Sequence, residues 1–89
     1  MQIKKSAIIL GSVFALASFS THAATEITFW HSMEGPLGER VNEIVSDFNK
    51  KQSDYKINPT YKGAYGESMN AGIAAFRAGQ APDIIQVFE

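Results

Sequence analysis

The stretch EITFWHSMEGPLGERVNEIVSDF, residues 26–48, decides the fold class. In its first part, Glu26–Trp30, polar and apolar residues alternate, and β-branched and aromatic residues are frequent. This pattern is typical of a β-strand. Pro36 suits the first turn of a helix, where a missing N–H costs little. Apolar residues then recur at helical spacing with charged residues between them, which predicts an amphipathic helix. Its apolar face consists of Leu37, Val41, Ile44, Val45 and Phe48.

A second strand is predicted at about Lys56–Lys62, after a break in the helical pattern at residues 52–54. Tyr55, Ile57 and Tyr61 share one side of it with Pro59. Because proline has no N–H to donate to a neighbouring strand, this strand is expected at an edge of the sheet.

A second helix is predicted over about Tyr65–Ala78, with Gly79 as its left-handed stop. A third strand follows over Asp83–Phe88, and its nearly continuous apolar centre is typical of a parallel strand that is covered on both faces. In the second helix, the large apolar residues expected to point inward, toward the sheet, are Met69, Ile73 and Phe76. Its small residues, expected to allow close packing on the sheet, are Ala71, Gly72, Ala74 and Ala75.

The order β-α-β-α-β predicts a parallel sheet with right-handed crossovers, an α/β architecture. Ligands of such open sheets bind outside the carboxyl ends of the strands. Those ends are predicted at residues 30–34, at residues 63–65 and at Glu89. Two helix N-termini point to the same edge and favour anions. We therefore expect a small, polar and anionic ligand.

The first 23 residues have the three parts of a secretory signal peptide. Lys4 and Lys5 supply the positive charge, and an apolar run of 13 residues extends from Ala7 to Phe19. This run is too short to cross a bilayer core of about 30 Å as a helix. Small residues precede the predicted cleavage after Ala23. The sequence therefore predicts export.

The composition of residues 24–89 excludes several classes of function. Six basic and nine acidic residues give a net charge of −3, which argues against nucleic acid as a partner. The chain has no cysteine, so neither a disulfide nor thiol chemistry is available. The sequence has no metal-spaced histidine cluster and no phosphate-cradling glycine loop, and we expect no cofactor. Small exported domains usually contain disulfides, so these 66 residues are expected to be a fragment.

Three stretches resemble the periplasmic sn-glycerol-3-phosphate-binding proteins of ABC importers, within the family 1 extracellular solute-binding proteins. They are ITFWHSMEG at residues 27–35, PTYKG at residues 59–63 and AGIAAFR at residues 71–77. The stretch AGQAPDI, residues 78–84, is similar to many solute-binding proteins, including those for sugars. The resemblance covers nearly all of residues 24–89.

The resemblance implies a two-lobed periplasmic-binding-protein fold of type II, with residues 24–89 as the N-terminal part of the first lobe. It further implies capture of sn-glycerol-3-phosphate, with glycerophosphodiesters as further candidate ligands, for an inner-membrane ABC permease and ATPase complex. It assigns Tyr65 and Glu89 to the ligand site. A tyrosine hydroxyl donates to a ligand oxygen, while a glutamate accepts hydrogen bonds from glycerol hydroxyls.

The same residues also permit different interpretations. Trp30 and His31 are candidate neighbours of the ligand site, but tryptophan also suits a core, and a lone histidine often has a structural role. A glycosidase would use two carboxylates at a set separation, for which Glu34 and Glu89 are the candidate pair. An oligosaccharide-binding protein of the same fold and a non-functional truncated product are also compatible with the sequence. The preferred interpretation is a binding protein without enzymatic activity.

Overall fold

The computed structural model describes residues 23–89, in which strands and helices alternate along the chain. This order confirms the predicted β-α-β-α-β arrangement. The predicted signal peptide, residues 1–23, lies outside the described residues apart from Ala23. Neither helix within residues 23–89 has the length and apolar content needed to cross a bilayer. The elements are β1 (Thr25–His31), α1 (Gly35–Lys51), β2 (Tyr55–Tyr61), α2 (Tyr65–Arg77) and β3 (Ile84–Ile85).

The three strands form one parallel sheet in the order β2-β1-β3. Strand β1 is central, and its residues pair with β2 in register from Thr25 with Tyr55 to His31 with Tyr61. The connection from β2 to β3 runs back across β1, opposite to the direction of the first crossover. Helix α1 lines a groove with Phe29 and Ile84, and α2 lines one with Ile85, so the two helices lie on opposite faces of the sheet, as right-handed crossovers in opposite directions require.

Strand β2 lies at the edge of the sheet, as Pro59 predicted. The N–H of Lys62 donates to the carbonyl of His31 at 2.9 Å, so alternate residues of β2 direct their backbone groups toward β1. The backbone groups of Ile57 and Pro59 therefore face away from β1. The side chain of Asn49 accepts from the N–H of Ile57 and donates to its carbonyl, each at 2.9 Å. The side-chain amide of Asn49 and the missing N–H of Pro59 thus leave few unpaired backbone groups on this edge of the sheet.

Helix α1 begins at Gly35 with Pro36 in its first turn and ends at Lys51, just before the predicted break at residues 52–54. The side chain of Gln52 accepts from the N–H groups of Asp54 and Tyr55 and holds the turn into β2. Val45, on the apolar face, is buried. Two other members of that face, Leu37 and Ile44, are each 61% exposed.

Helix α2 faces the sheet through its small residues, and the prediction that its large apolar residues point inward was wrong. Ser68 is fully buried. A Cβ on Gly72 would lie 2.8 Å from Cδ1 of Ile85, so the helix approaches β3 closely at this glycine. Phe76 is 74% exposed, and Met69 and Ile73 are also exposed. Small residues permit the close approach, whereas the larger ones project from the side of the helix. Gly79 has φ +75° and ends the helix as predicted.

Strand β3 contains only two residues, so the prediction of a strand over Asp83–Phe88 was wrong. Its flanking side chains explain the short length. Oδ2 of Asp83 accepts from the N–H of Thr28 at 2.8 Å, and Oε1 of Gln86 accepts from the N–H of Ser32 at 2.9 Å. These side chains occupy donors on β1 that a longer β3 would pair through its backbone. The expectation of full coverage also fails, because Ile84 is 46% exposed.

Candidate functional site

The carboxyl ends of the strands are linked to one another by specific contacts. The N–H of Lys62, just after β2, bonds to His31 at the end of β1. On the other side, Gln86 holds the N–H of Ser32 through its side chain. The segment after β2 and the segment after β3 are therefore both bound to the end of β1. We call this region the carboxyl edge.

Tyr65 is the first residue of α2 and is half-buried at the carboxyl edge. Its ring packs on the ring of Phe88 with centroids 4.8 Å apart. Glu89 follows Phe88 directly and is exposed. The contact between Tyr65 and Phe88 thus brings the two predicted ligand residues, Tyr65 and Glu89, to the same corner of the sheet. Their role in binding stays a prediction.

The N-terminus of α2 lies beside Tyr65 and presents backbone donors. Its first turn begins after Gly63, whose φ of +90° turns the chain from β2 into the helix. Ala64 has no side-chain acceptor for the first N–H groups of α2. Instead, Oε1 of Glu67 accepts from the N–H of Ala64 at 3.1 Å. Because N–H groups at the start of a helix have no partner within the helix, those of residues 65–67 are available to an acceptor.

Trp30 lies near the end of β1, on the same face of the sheet as Lys62. The side-chain nitrogen Nζ of Lys62 lies 4.2 Å from the centroid of the Trp30 ring, within the range of a cation–π interaction. Both residues are half-buried. The structure therefore places the predicted neighbour Trp30 beside the carboxyl edge, in contact with a positive charge.

His31 points to the opposite face and is only 4% exposed. Its Nδ1 accepts from the N–H of Met33 at 3.2 Å, which holds the loop after β1. The imidazole ring lies between the rings of Phe29 and Tyr61, at centroid distances of 5.7 and 6.1 Å. These contacts give His31 a structural role in the loop, and its proximity to a ligand stays a prediction.

Glu34 is directed toward the α1 face of the sheet. The hydroxyl of Tyr61 donates to Oε2 of Glu34 at 3.1 Å. Partial burial of the phenol, this hydrogen bond and the charges of Glu34 and Glu67 together raise the pKa of Tyr61. A groove of about 420 Å³ lies here, lined by residues that include His31, Glu34 and Tyr61. Among residues 23–89, no group of three or more histidine, aspartate or glutamate side chains is arranged to hold a metal ion.

Three residues of the carboxyl edge were not predicted from the sequence. Gln86 had a local signal, because it is the polar residue within the apolar run of residues 84–88. Phe88 was assigned to a strand rather than to a contact with Tyr65. The position of Lys62 over Trp30 depends on the pairing of two strands, and no local pattern indicates it.

Comparison with known proteins reveals close relatives of the chain. The sn-glycerol-3-phosphate-binding periplasmic protein of Pectobacterium atrosepticum is 58% identical over 76 residues, which cover 85% of this chain and 17% of that protein. The protein of the same name from Yersinia enterocolitica is 53% identical over 87 residues, covering 98% of this chain and 20% of that protein. The one from Agrobacterium fabrum is 51% identical over 92 aligned positions, covering 100% of this chain and 21% of that protein.

These homologues confirm the resemblance that residues 27–35, 59–63 and 71–77 indicated. The chain spans about one fifth of the length of the curated relatives it matches. No family model matches the chain. The relatives are named as periplasmic binding proteins, not as enzymes.

Proposed function

We propose that this homologue of sn-glycerol-3-phosphate-binding periplasmic proteins captures sn-glycerol-3-phosphate for import. In this proposal, residues 24–89 form the N-terminal part of the first lobe of a two-lobed receptor. The close identity with relatives named for this ligand supports the choice of substrate. Glycerophosphodiesters share the glycerol and phosphate groups and are the second candidate ligands. The ligand-loaded receptor would dock on a permease and ATPase complex in the inner membrane.

The observation that carries the proposal is the contact between Tyr65 and Phe88 at the carboxyl edge. This contact brings the hydroxyl of Tyr65, a neutral donor, to the corner of the sheet where Glu89 follows Phe88 in sequence. A ligand with hydroxyl groups at one end and an anion at the other matches this pair. Glu89 accepts from the glycerol hydroxyls, while Tyr65 and the open N–H groups of α2 donate to anionic oxygens.

Export is the second part of the proposal. The positive residues and the apolar run within residues 1–23 act as a signal peptide that is removed after Ala23. Mass spectrometry of the exported product is expected to show Ala24 as the first residue. A soluble exported product that retains Met1 would contradict this assignment.

A chimera tests the ligand. In this chimera, the part of the chain that aligns with the Pectobacterium atrosepticum protein replaces the matching segment of that protein. The residues of this chain are thus studied within a receptor of full length. The unmodified relative is the control. We expect the chimera to melt cooperatively and to bind sn-glycerol-3-phosphate in calorimetric titrations with an affinity close to that of the relative.

The same titrations separate the candidate ligands. A chimera that folds like the relative but shows no heat with millimolar sn-glycerol-3-phosphate would overturn the proposed ligand. Heat with a neutral oligosaccharide such as maltotriose, in place of the phosphate ester, would support an oligosaccharide-binding protein instead.

A further inference from the structure

Lys62 is held at the carboxyl edge by both its backbone and its side chain. Its N–H donates to the carbonyl of His31 at 2.9 Å, which fixes the residue where β1 and β2 both end. Its Nζ lies 4.2 Å from the centroid of the Trp30 ring. The side chain of this half-buried residue is therefore held on one side of the sheet, close to the predicted ligand site.

Lys62 forms no ion pair within residues 23–89. The contact with Trp30 is the one side-chain interaction that Lys62 makes within residues 23–89. An aromatic ring attracts a cation through its quadrupole but carries no net charge. The ring thus restricts the position of the ammonium while its full charge remains available to an anion.

The other basic side chains of residues 23–89 lie elsewhere. Arg40 pairs with Glu43 at 3.2 Å on the exposed surface of α1. Because the helices run antiparallel to the strands, their C-terminal ends lie at the amino edge of the sheet, opposite the ligand site. The basic residues at or near that amino edge are Lys50 and Lys51 in the last turn of α1, Arg77 in the last turn of α2 and Lys56 near the start of β2.

Four carboxylates belong to the carboxyl edge or its neighbourhood, namely Glu34, Glu39, Glu67 and Glu89. These side chains repel a phosphate ester, which carries a charge of about −1.5 to −2 at neutral pH. An unpaired cation at the same edge offsets this repulsion. Lys62 is the residue in the described part of the chain that meets this requirement.

We propose that Lys62 is an anion-attracting residue of the ligand site, and that the ring of Trp30 positions its ammonium. This inference rests on the proposed function and specifies how the site accepts a phosphate. The cation–π contact reduces the conformational freedom that Lys62 would otherwise lose on binding. Trp30 is a positioning residue in this arrangement and does not itself neutralise the ligand.

Substitutions of Lys62 in the chimera test the proposal. Lys62→Met keeps much of the apolar stem and removes the charge, whereas Lys62→Arg keeps the charge and the contact with the ring. Lys56→Met is the matched control, because Lys56 lies near the start of β2, at the opposite edge of the sheet from Lys62, which follows the end of this strand. At low salt we expect Lys62→Met to weaken sn-glycerol-3-phosphate binding roughly 10-fold or more, while Lys56→Met leaves binding unchanged.

Two further measurements separate a charge effect from a structural one. Lys62→Arg is expected to retain affinity within about threefold, and the loss caused by Lys62→Met is expected to shrink at high salt, where charges are screened. Equal losses for Lys62→Met and Lys62→Arg, or undiminished binding by Lys62→Met at low salt, would overturn the proposal. If Lys62→Met does not melt like the chimera, Lys62→Gln replaces it under the same criteria.

The unsubstituted chimera distinguishes this inference from the function on which it rests. Failure of the folded, unsubstituted chimera to bind sn-glycerol-3-phosphate would overturn the proposed function, and the role of Lys62 with it. Binding by that chimera together with full binding by Lys62→Met would overturn the role of Lys62 alone.

Discussion

The ring of Phe88 packs against the ring of Tyr65 with their centroids 4.8 Å apart and their planes inclined by 43°. The two residues belong to segments on either side of the turn between α2 and β3. Their contact fixes the start of α2 relative to the chain that leaves the sheet toward Glu89. The geometry of this corner therefore depends on an aromatic pair rather than on a longer β3.

Tyr65→Phe and Glu89→Ala are each expected to weaken sn-glycerol-3-phosphate binding in the chimera. Each substitution removes one hydrogen bond to the ligand, worth on the order of 1–3 kcal/mol, which corresponds to roughly 5- to 150-fold in affinity. Tyr65→Phe preserves the ring that contacts Phe88, so it isolates the hydroxyl. Calorimetric titration measures the effect, with Tyr55→Phe at the opposite edge of the sheet as the control. Unchanged affinity in both variants would remove these residues from the ligand site.

Gly38→Ala is expected to destabilise the chimera because α1 approaches the preceding loop closely at this residue. A Cβ on Gly38 would lie 2.7 Å from the carbonyl oxygen of Met33, and a backbone atom yields less easily than a side-chain end. We expect a loss of about 1–3 kcal/mol in the free energy of unfolding, measured by chemical denaturation.

Gly66→Ala is the matched control for that substitution. Gly66 also lies in a helix, but nothing would lie within 4 Å of its added Cβ. Since alanine favours helix over glycine by up to about 1 kcal/mol, this variant is expected to be as stable as the chimera or slightly more stable. Equal effects of the two substitutions would contradict the close approach at Gly38.

Tyr61 is expected to ionise above the usual tyrosine pKa of about 10. Partial burial, the hydrogen bond to Glu34 and nearby negative charge all favour its neutral form and raise its pKa. Because the folded protein holds this proton more tightly than the unfolded chain, the stabilising effect is present below pH 10 and is lost as the pH rises through the raised pKa. Ultraviolet titration of phenolate absorbance, compared with Tyr61→Phe, measures the pKa of this residue.

Glu34→Gln removes a negative charge beside Tyr61 and is expected to lower the pKa of the phenol. Glu43→Gln, on the exposed surface of α1, is the control and should leave the Tyr61 titration unchanged. A titration of Tyr61 that is the same in Glu34→Gln and in the chimera would show that the negative charge of Glu34 does not influence the ionisation of Tyr61.

Residues 24–89 alone are expected neither to fold cooperatively nor to bind ligand. Val45 is the one hydrophobic side chain that is buried within the described residues, while Phe76 and Phe88 are 74% and 67% exposed. Apolar grooves flank Ile84 on the α1 face and Ile85 on the α2 face of β3. Calorimetry of the isolated segment is expected to show no sharp transition and no heat with millimolar sn-glycerol-3-phosphate. A two-state melt that shifts upward with ligand would instead identify a self-sufficient domain.

The elements that were predicted correctly depend on local patterns. The alternation in β1, Pro36 at the start of α1 and Pro59 in β2 each constrain the backbone through their immediate neighbours. The close approach of the small residues of α2 to the sheet was predicted correctly, but the inward direction of Phe76 was not, because hydrophobicity favours Phe76 over Gly72 whereas close packing on the sheet requires the smaller residue. Such a preference depends on the distance between helix and sheet, which the sequence of the helix alone does not specify.

The features of the candidate site likewise divide into residues that were predicted from the sequence and contacts that only the folded sheet creates. Tyr65 and Glu89 were predicted from the resemblance and from the rule that ligands bind at the carboxyl ends of parallel strands. The contacts of Lys62 with Trp30 and of Gln86 with Ser32 join positions that are distant in sequence, and they follow only from the strand pairing.

The central position of β1 has a consequence for the order in which the sheet assembles. The side chain of Asn58 in β2 donates to the carboxylate of Glu26 in β1 across 32 residues, whereas the carboxylate of Asp83 accepts from the N–H of Thr28 across 55 residues. Since the entropy lost on closing a loop grows with its length, β1 and β2 are expected to pair before β3 docks. During that interval, the side of β1 that later receives Asp83 and Gln86 remains an open template for another chain. The carboxyl edge, which needs Gln86 against Ser32, is thus completed last during folding.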